Sequence, residues 1–172
     1  RNLWNLNEQL LQELRRSSTL KKSIMSTYTK LIYHIVYSTK NREKVLNQEN
    51  KRELFKYIWG IIENKKCHLY RINGVEDHLH ILVSIRPNMN ISAFVKDLKL
   101  STNDWIKERG IFPIFNGWQV GYGAFTVSEY EKSGLIEYIK KQEEHHKKIS
   151  FEDEYRKLLE EHGIEFEEKY LF

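Results

Sequence analysis

Cysteine is almost missing from these 172 residues: Cys67 stands alone. That excludes an internal disulfide and any Cys-rich zinc module. No apolar run approaches the roughly 18 residues of a membrane-spanning helix, and the N-terminus lacks the apolar stretch of a signal peptide. Mean hydropathy is −0.64, so nothing points to a membrane, and a cytoplasmic protein is expected. There is no internal repeat and no low-complexity linker. Hydrophobic residues still make up 40%, enough for one domain with a single core and an appended helix or two.

Charge is unevenly spread along the chain. It has 28 basic and 24 acidic residues, a formal net charge of +4. From Glu143 onward there are 10 acidic and 5 basic residues, which leaves 23 basic and 14 acidic ahead of them. A basic body with an acidic tail suits a polyanionic partner, though such a charge is also common on ordinary protein surfaces.

Residues 1–24 place Leu3, Leu6, Leu10 and Leu14 on one helical stripe and read as an N-terminal helical extension. The chain opens on Arg1, and Met25, just ahead of the first strand pattern, reads as the natural start. A domain over 25–149 follows, then a C-terminal helix and acidic tail over 150–172. Residues 28–39 are rich in β-branched and aromatic side chains and predict the first strand. Lys40 and Arg42 at its end are candidate DNA contacts.

Residues 47–66 carry Leu54, Phe55, Ile58, Trp59 and Ile62 at helical spacing, a core stripe with Asn47 or Asn50 as N-cap. A second strand starts at Cys67, and Asn73-Gly74 reads as the hairpin turn into a third strand that Pro87 ends. A helix runs from its N-cap Asn90 to Gly110, with Lys96 and Lys99 off the apolar stripe, available to phosphates or equally part of a plain solvated face. A fourth strand over 119–128 and a helix over 131–148 come next. In that strand Gly121 and Gly123 let a backbone or ligand approach closely. Ser150 with Asp153 caps a last helix that Gly163 ends. The order predicts an α+β fold, the ferredoxin-like β-α-β-β-α-β antiparallel sheet with helices added at both ends.

The third strand contains His78-Leu79-His80. Leu79, Ile81, Val83 and Ile85 form one face, and the two histidines project from the other. Residues two apart on one strand face lie roughly 6.5 to 7 Å apart, so the imidazoles can converge on one metal ion. Alone, such a motif more often marks an exposed pair of strand histidines. On the ferredoxin-like plan two helices cover the apolar face, and the helix after the fourth strand is free to cover the histidines.

On that helix Tyr138 and Gln142 are four residues apart and share a face. Lying over the sheet, Gln142 would offer its amide oxygen as a third ligand, with the Tyr138 hydroxyl close by. That set suits phosphoryl transfer, the phenol attacking a phosphate that a divalent ion polarises. Tyr138 by itself is also compatible with a packed helix tyrosine. Glu76 and Asp77 could tune the site or take a proton. His145 and His146 diverge by about 100° on a helix and read as surface or DNA-facing.

In motif order, the His78-Leu79-His80 strand followed by the Tyr138-Ile139-Lys140-Lys141-Gln142 helix resembles the single-tyrosine HUH transposases of small insertion sequences, including the REP-associated tyrosine transposases. The resemblance covers about residues 25–148. It implies the HUH endonuclease fold with an added catalytic helix, acting on single-stranded DNA, often at hairpin-containing element ends. It implies Mg2+ or Mn2+ held by His78, His80 and Gln142, and Tyr138 as the nucleophile of a 5′-phosphotyrosine intermediate that leaves a free 3′-hydroxyl. It also implies a homodimer, often with the tyrosine helix exchanged between subunits. A ferredoxin-like module that binds single-stranded DNA or RNA without cutting it is the alternative, and a phosphoesterase using water is a third.

Overall fold

The structure, a computed structural model, describes residues 28–171. The extension predicted over residues 1–24 and the start predicted at Met25 lie outside the described residues. Within them, the strand-forming stretch before Lys40 becomes β1 (Leu31–Ser38). Its alternation sends Ile32, His34, Val36 and Ser38 to one face and Tyr33, Ile35 and Tyr37 to the other. Helix α1 (Gln48–Asn64) starts where the Asn47 side chain accepts from the Asn50 amide, so the cap is Asn47. Strands β2 (His68–Gly74) and β3 (His78–Ile85) follow. Helix α2 (Ile91–Arg109) opens on Asn90, whose side chain accepts from Ser92 and Ala93, and closes on Gly110 at φ 63°, a left-handed position suited to glycine. After β4 (Gly123–Val127) come α3 (Lys132–Lys140), α4 (Gln142–His145) and α5 (Phe151–Glu161).

The four strands lie in the order β2-β3-β1-β4, with β3 antiparallel to β1 and β2, and β4 antiparallel to β1. This is the predicted ferredoxin-like sheet. One face carries Ile35, Tyr37, Leu79, Ile81 and Val83 against Leu54, Ile58 and Ile62 of α1 and Phe94, Val95 and Leu98 of α2, all buried. Each such aliphatic side chain contributes on the order of 1.5–3 kcal/mol by leaving water. The other face is covered in two patches. Ile32 and Leu82 meet Ile139 of α3, while Val36 and Phe125 meet Leu158 and Leu159 of α5. His34, His78 and His80, all buried, share this second face with those patches.

Three local expectations need correction. Asn73 and Gly74 stay in β2, and the chain reverses at Val75–Asp77. Gly74 is needed because a Cβ there would strike the His78 carbonyl oxygen, and the Asn73 amide donates to the Ile139 and Lys140 carbonyls, 3.0 and 3.1 Å, finishing α3. The helix predicted over 131–148 breaks at Lys141, which leaves α4 as a separate turn. Trp59 sits at the margin of the α1 stripe and is 54% exposed. Among the described residues, no helix is long and apolar enough to cross a membrane.

Candidate functional site

The histidine strand brings His78 and His80 side by side on the face that α3, α4 and α5 cover, and each ring is held by an outer partner. His78 Nδ1 lies 2.6 Å from Asp77 Oδ1, and His80 Nδ1 lies 2.9 Å from His34 Nε2. His146, at the end of α4, places its Nδ1 2.9 Å from the Ile149 carbonyl oxygen. A carboxylate and a carbonyl only accept, so His78 and His146 carry protons on Nδ1 and turn Nε2 inward. Those two Nε2 atoms are 2.9 Å apart. Two lone pairs hold that spacing only with a cation between them, a proton or a metal ion.

Glu154 of α5 completes the cluster. Its Oε2 lies 3.0 Å from His146 Nε2, 3.3 Å from His80 Nε2 and 3.7 Å from His78 Nε2. Its other oxygen, Oε1, accepts from Gln142 Nε2 at 2.9 Å and from the Tyr138 hydroxyl. The ligand-type atoms of His78, His80, His146 and Glu154 all lie within 4.8 Å of one another. His80 Nε2 and Glu154 Oε2 are buried with no hydrogen bond. A bound cation would satisfy such acceptors, so the residues present fit a divalent metal.

Electrostatics follow from this packing. Burial drives the His78 imidazole down to about 4, although Asp77 pulls the other way, and burial beside His80 holds His34 well below its usual range. Burial would raise Glu154, yet the His146 and His80 imidazoles and the Tyr138 hydroxyl prevail and hold its carboxyl well below the ordinary carboxylate range. Burial also opposes charge on His146, and the adjacent Glu154 carboxylate prevails there and raises it. Burial and then Glu154 push the Tyr138 phenol up. In this arrangement the phenol keeps its proton.

The structure therefore brings Tyr138, Gln142, His78 and His80 around one centre, within a single chain. Gln142 turns its amide N–H to that centre, because the Glu154 carboxylate facing it can only accept. Despite the break at Lys141, Tyr138 and Gln142 meet the same oxygen. The candidate DNA contacts do not gather there. Lys96 and Lys99 belong to α2 on the opposite layer, where the Lys99 amine caps the carbonyls of Gln119 and Gly121. Lys40 and Lys96 are exposed. Arg42 pairs with Glu152 of α5 in a cleft of about 810 Å³ that Asp77 and His146 also line.

His145 and His146 are not surface residues pointing apart. They flank one carboxylate, His145 Nε2 standing 3.6 Å from Oε1 and His146 nearest Oε2, because the short helix ends between them. Sequence reasoning also missed His34 and Glu154, and both left the same kind of signal. His34 interrupts the stripe Ile32, Val36 of β1. Glu154 sits one turn from Phe151 and Leu158 on the apolar stripe of α5, where a carboxylate has no reason to be unless something receives it.

Comparison with known proteins agrees with this architecture. The family model described as "Transposase IS200 like" matches residues 27–142. The transposase for insertion sequence element IS200 of Salmonella typhimurium is 29% identical over 132 residues, 74% of this chain and 86% of that protein. The ISDra2 transposase TnpA of Deinococcus radiodurans is 28% identical, over 65% of this chain and 84% of its own. A crystal structure of a Deinococcus radiodurans R1 transposase superposes with a TM-score of 0.54 at 28% identity, covering 68% of this chain and 94% of that one. A REP-associated tyrosine transposase bound to a REP hairpin shares the fold at a TM-score of 0.54 and 15% identity, over 71% and 74% of the two chains. The sheet order and helix placement are those of the HUH fold, and the family match spans well over half of the sequence. The chain belongs to the IS200-like transposases.

Proposed function

We propose that this transposase nicks and rejoins single-stranded DNA through a 5′-phosphotyrosine on Tyr138. The observation that carries this reading is the convergence of Tyr138 and Gln142 with the His78–His80 pair on one buried centre, although they come from α3, α4 and β3. The Tyr138 oxygen would form the bond to phosphorus while the bond from phosphorus to the 3′-oxygen breaks, and that oxygen leaves as a 3′-hydroxyl once protonated. Attack by a 3′-hydroxyl on the phosphotyrosine reverses the exchange, so no external energy source is needed. His78 and His80, with Gln142 once its amide oxygen faces the centre, would hold Mg2+ or Mn2+. When bound, the ion polarises the phosphate and lowers the demand on a phenol that burial keeps protonated. Asp77 and His34 act behind the ligands by fixing the rings so that Nε2 faces the substrate side.

The substrates proposed are hairpin-containing element ends, with the basic body of the chain binding the phosphates. We further infer a catalytic domain over 25–149 that works as a homodimer. Light scattering with and without DNA tests the assembly, and a strictly monomeric species would count against it. The mechanism is tested on a denaturing gel. Single-stranded hairpins labelled on the 5′ or 3′ side of the cut are incubated with the protein in Mn2+ or EDTA, for wild type and Tyr138→Phe. The expected result is a Mn2+-dependent adduct carrying the 3′-side fragment, absent from Tyr138→Phe. Binding with no adduct on any hairpin would favour a non-cutting module, and cleavage that persists in Tyr138→Phe would favour water as the nucleophile.

A further inference from the structure

We propose that His146 and Glu154 join His78 and His80 in an alternative, closed state of the metal site with four protein ligands. It is selective for a zinc-class ion, and its formation seats the C-terminal helix where DNA would otherwise react. The proposal deepens the reading above and rests on His78 and His80 as a metal-holding pair. His146 and Glu154 both lie beyond residue 142, where the family match ends.

Geometry is the first argument. Tetrahedral zinc with bonds of about 2.0–2.1 Å places its ligand atoms about 3.3–3.4 Å apart. Here the Nε2 of His78 and His146 are 2.9 Å apart, and Glu154 Oε2 stands 3.0, 3.3 and 3.7 Å from the three imidazole nitrogens. Those four separations bracket the tetrahedral value, and all four ligand atoms lie within 4.8 Å of one another. Three imidazoles and one carboxylate form a donor set that favours zinc or cobalt, whereas Mg2+ seeks oxygen ligands and keeps several waters.

The outer partners give the second argument. Each imidazole has its Nδ1 occupied, by Asp77, His34 and the Ile149 carbonyl, which is how metal-binding histidines are oriented. His80 Nε2 and Glu154 Oε2 are buried with no hydrogen bond, as expected of atoms placed for an ion.

Closure has a consequence for DNA. Glu154 Oε1 accepts the Tyr138 hydroxyl and Oε2 faces the histidines, while Glu152 of the same helix pairs with Arg42. Two carboxylates of α5 thus stand at the nucleophile and at a cation near it, places a scissile phosphate and its neighbour would use. A phosphate cannot enter beside the Glu154 carboxylate without strong like-charge repulsion in so buried a place. The four-ligand site and the DNA-bound site therefore exclude each other.

The test uses the full chain, stripped with EDTA and titrated with Co2+ in the absence of DNA. Wild type is expected to develop the intense visible absorption of four-coordinate Co2+, to lose it to stoichiometric Zn2+ and to keep it in a large excess of Mg2+. Glu154→Gln and His146→Asn are each expected to weaken Co2+ binding by at least about tenfold and to fade the band. Circular dichroism melts verify that each variant folds, and His146→Asn, at a half-buried position, covers the case in which Glu154→Gln does not. Wild-type affinity and spectrum retained in both variants, or a faint six-coordinate spectrum in wild type, would overturn the proposal. Neither outcome involves DNA, so a Tyr138 adduct observed beside a failed cobalt test leaves the phosphotyrosine reading intact.

Discussion

Two buried residues show how strongly single side chains are committed. His78 titrates near 4 in the folded chain because burial disfavours its charged form, against an ordinary value near 6.5. As pH falls through 6.5 the unfolded chain takes up a proton that the folded chain refuses until about 4, so stability is lost across that window. The gap corresponds to about 3 kcal/mol, and His34, held low by burial and by His80, adds in the same direction. His146 works oppositely: its raised value gives stability that is present at acid pH and lost as pH rises through that value. Urea titrations in EDTA at pH 7 and pH 4.5 should show a lower midpoint at pH 4.5, with a smaller drop in His78→Asn. An equal midpoint at both pH values would sink the idea. Lys51 is the second case. Its amine, 2% exposed as a residue, donates to the Gly74 carbonyl at 2.9 Å and pairs with Glu143 at 3.1 Å. It ties α1 to the chain reversal before His78 and to the residue after Gln142. Lys51→Met should cost about 1–3 kcal/mol by leaving the carbonyl without its donor, read as a lower urea midpoint at unchanged slope.

At the scale of elements, what the sequence made legible was whatever depends on neighbours along the chain. Period two in β1 and β3, period 3.6 in α1 and α2, and the caps Asn47, Asn90, Gly110 and Ser150 all act within one turn, and all are found. What depends on a distant partner was not. Asn73-Gly74 has the composition of a turn, but Gly74 is required by the His78 carbonyl crossing its face and Asn73 by the end of α3. The centre was half legible for the same reason. His78, His80, Tyr138 and Gln142 carry local spacing, whereas Glu154, His146 and His34 acquire meaning only when three layers meet. Asn73→Ala removes two hydrogen bonds that finish α3, and should lower stability by about 1–2 kcal/mol. Because α3 carries Tyr138, adduct yield should fall with it. Unchanged stability would show that water replaces the amide at no cost.

For the whole molecule, the uneven charge and the uneven burial point the same way. The basic body presents Lys40, Lys44 and Lys96, while the acidic end folds back so that Glu152 and Glu154 meet Arg42 and the histidine centre. Helix α5 fully buries two hydrophobic side chains, Leu158 and Leu159, with Phe151 and Tyr155 partly buried against the same patch. At roughly 1.5–3 kcal/mol for each fully buried side chain, the helix is held more weakly than α1, which fully buries Leu54, Ile58 and Ile62 in the core on the opposite face. Local opening of α5 is therefore cheaper than global unfolding. A DNA strand that supplies phosphates for Arg42 and the centre can displace it by mass action, and a zinc-class ion bound by Glu154 opposes that release. Hydrogen exchange resolved by segment separates these states. Amides of 152–161 should exchange at least about tenfold faster with a bound single-stranded hairpin and more slowly with Zn2+, while α1 stays unchanged in both. Full protection of α5 in the DNA complex would mean that the strand reaches Tyr138 with Glu154 still in place, and the helix would then be a fixed wall of the site.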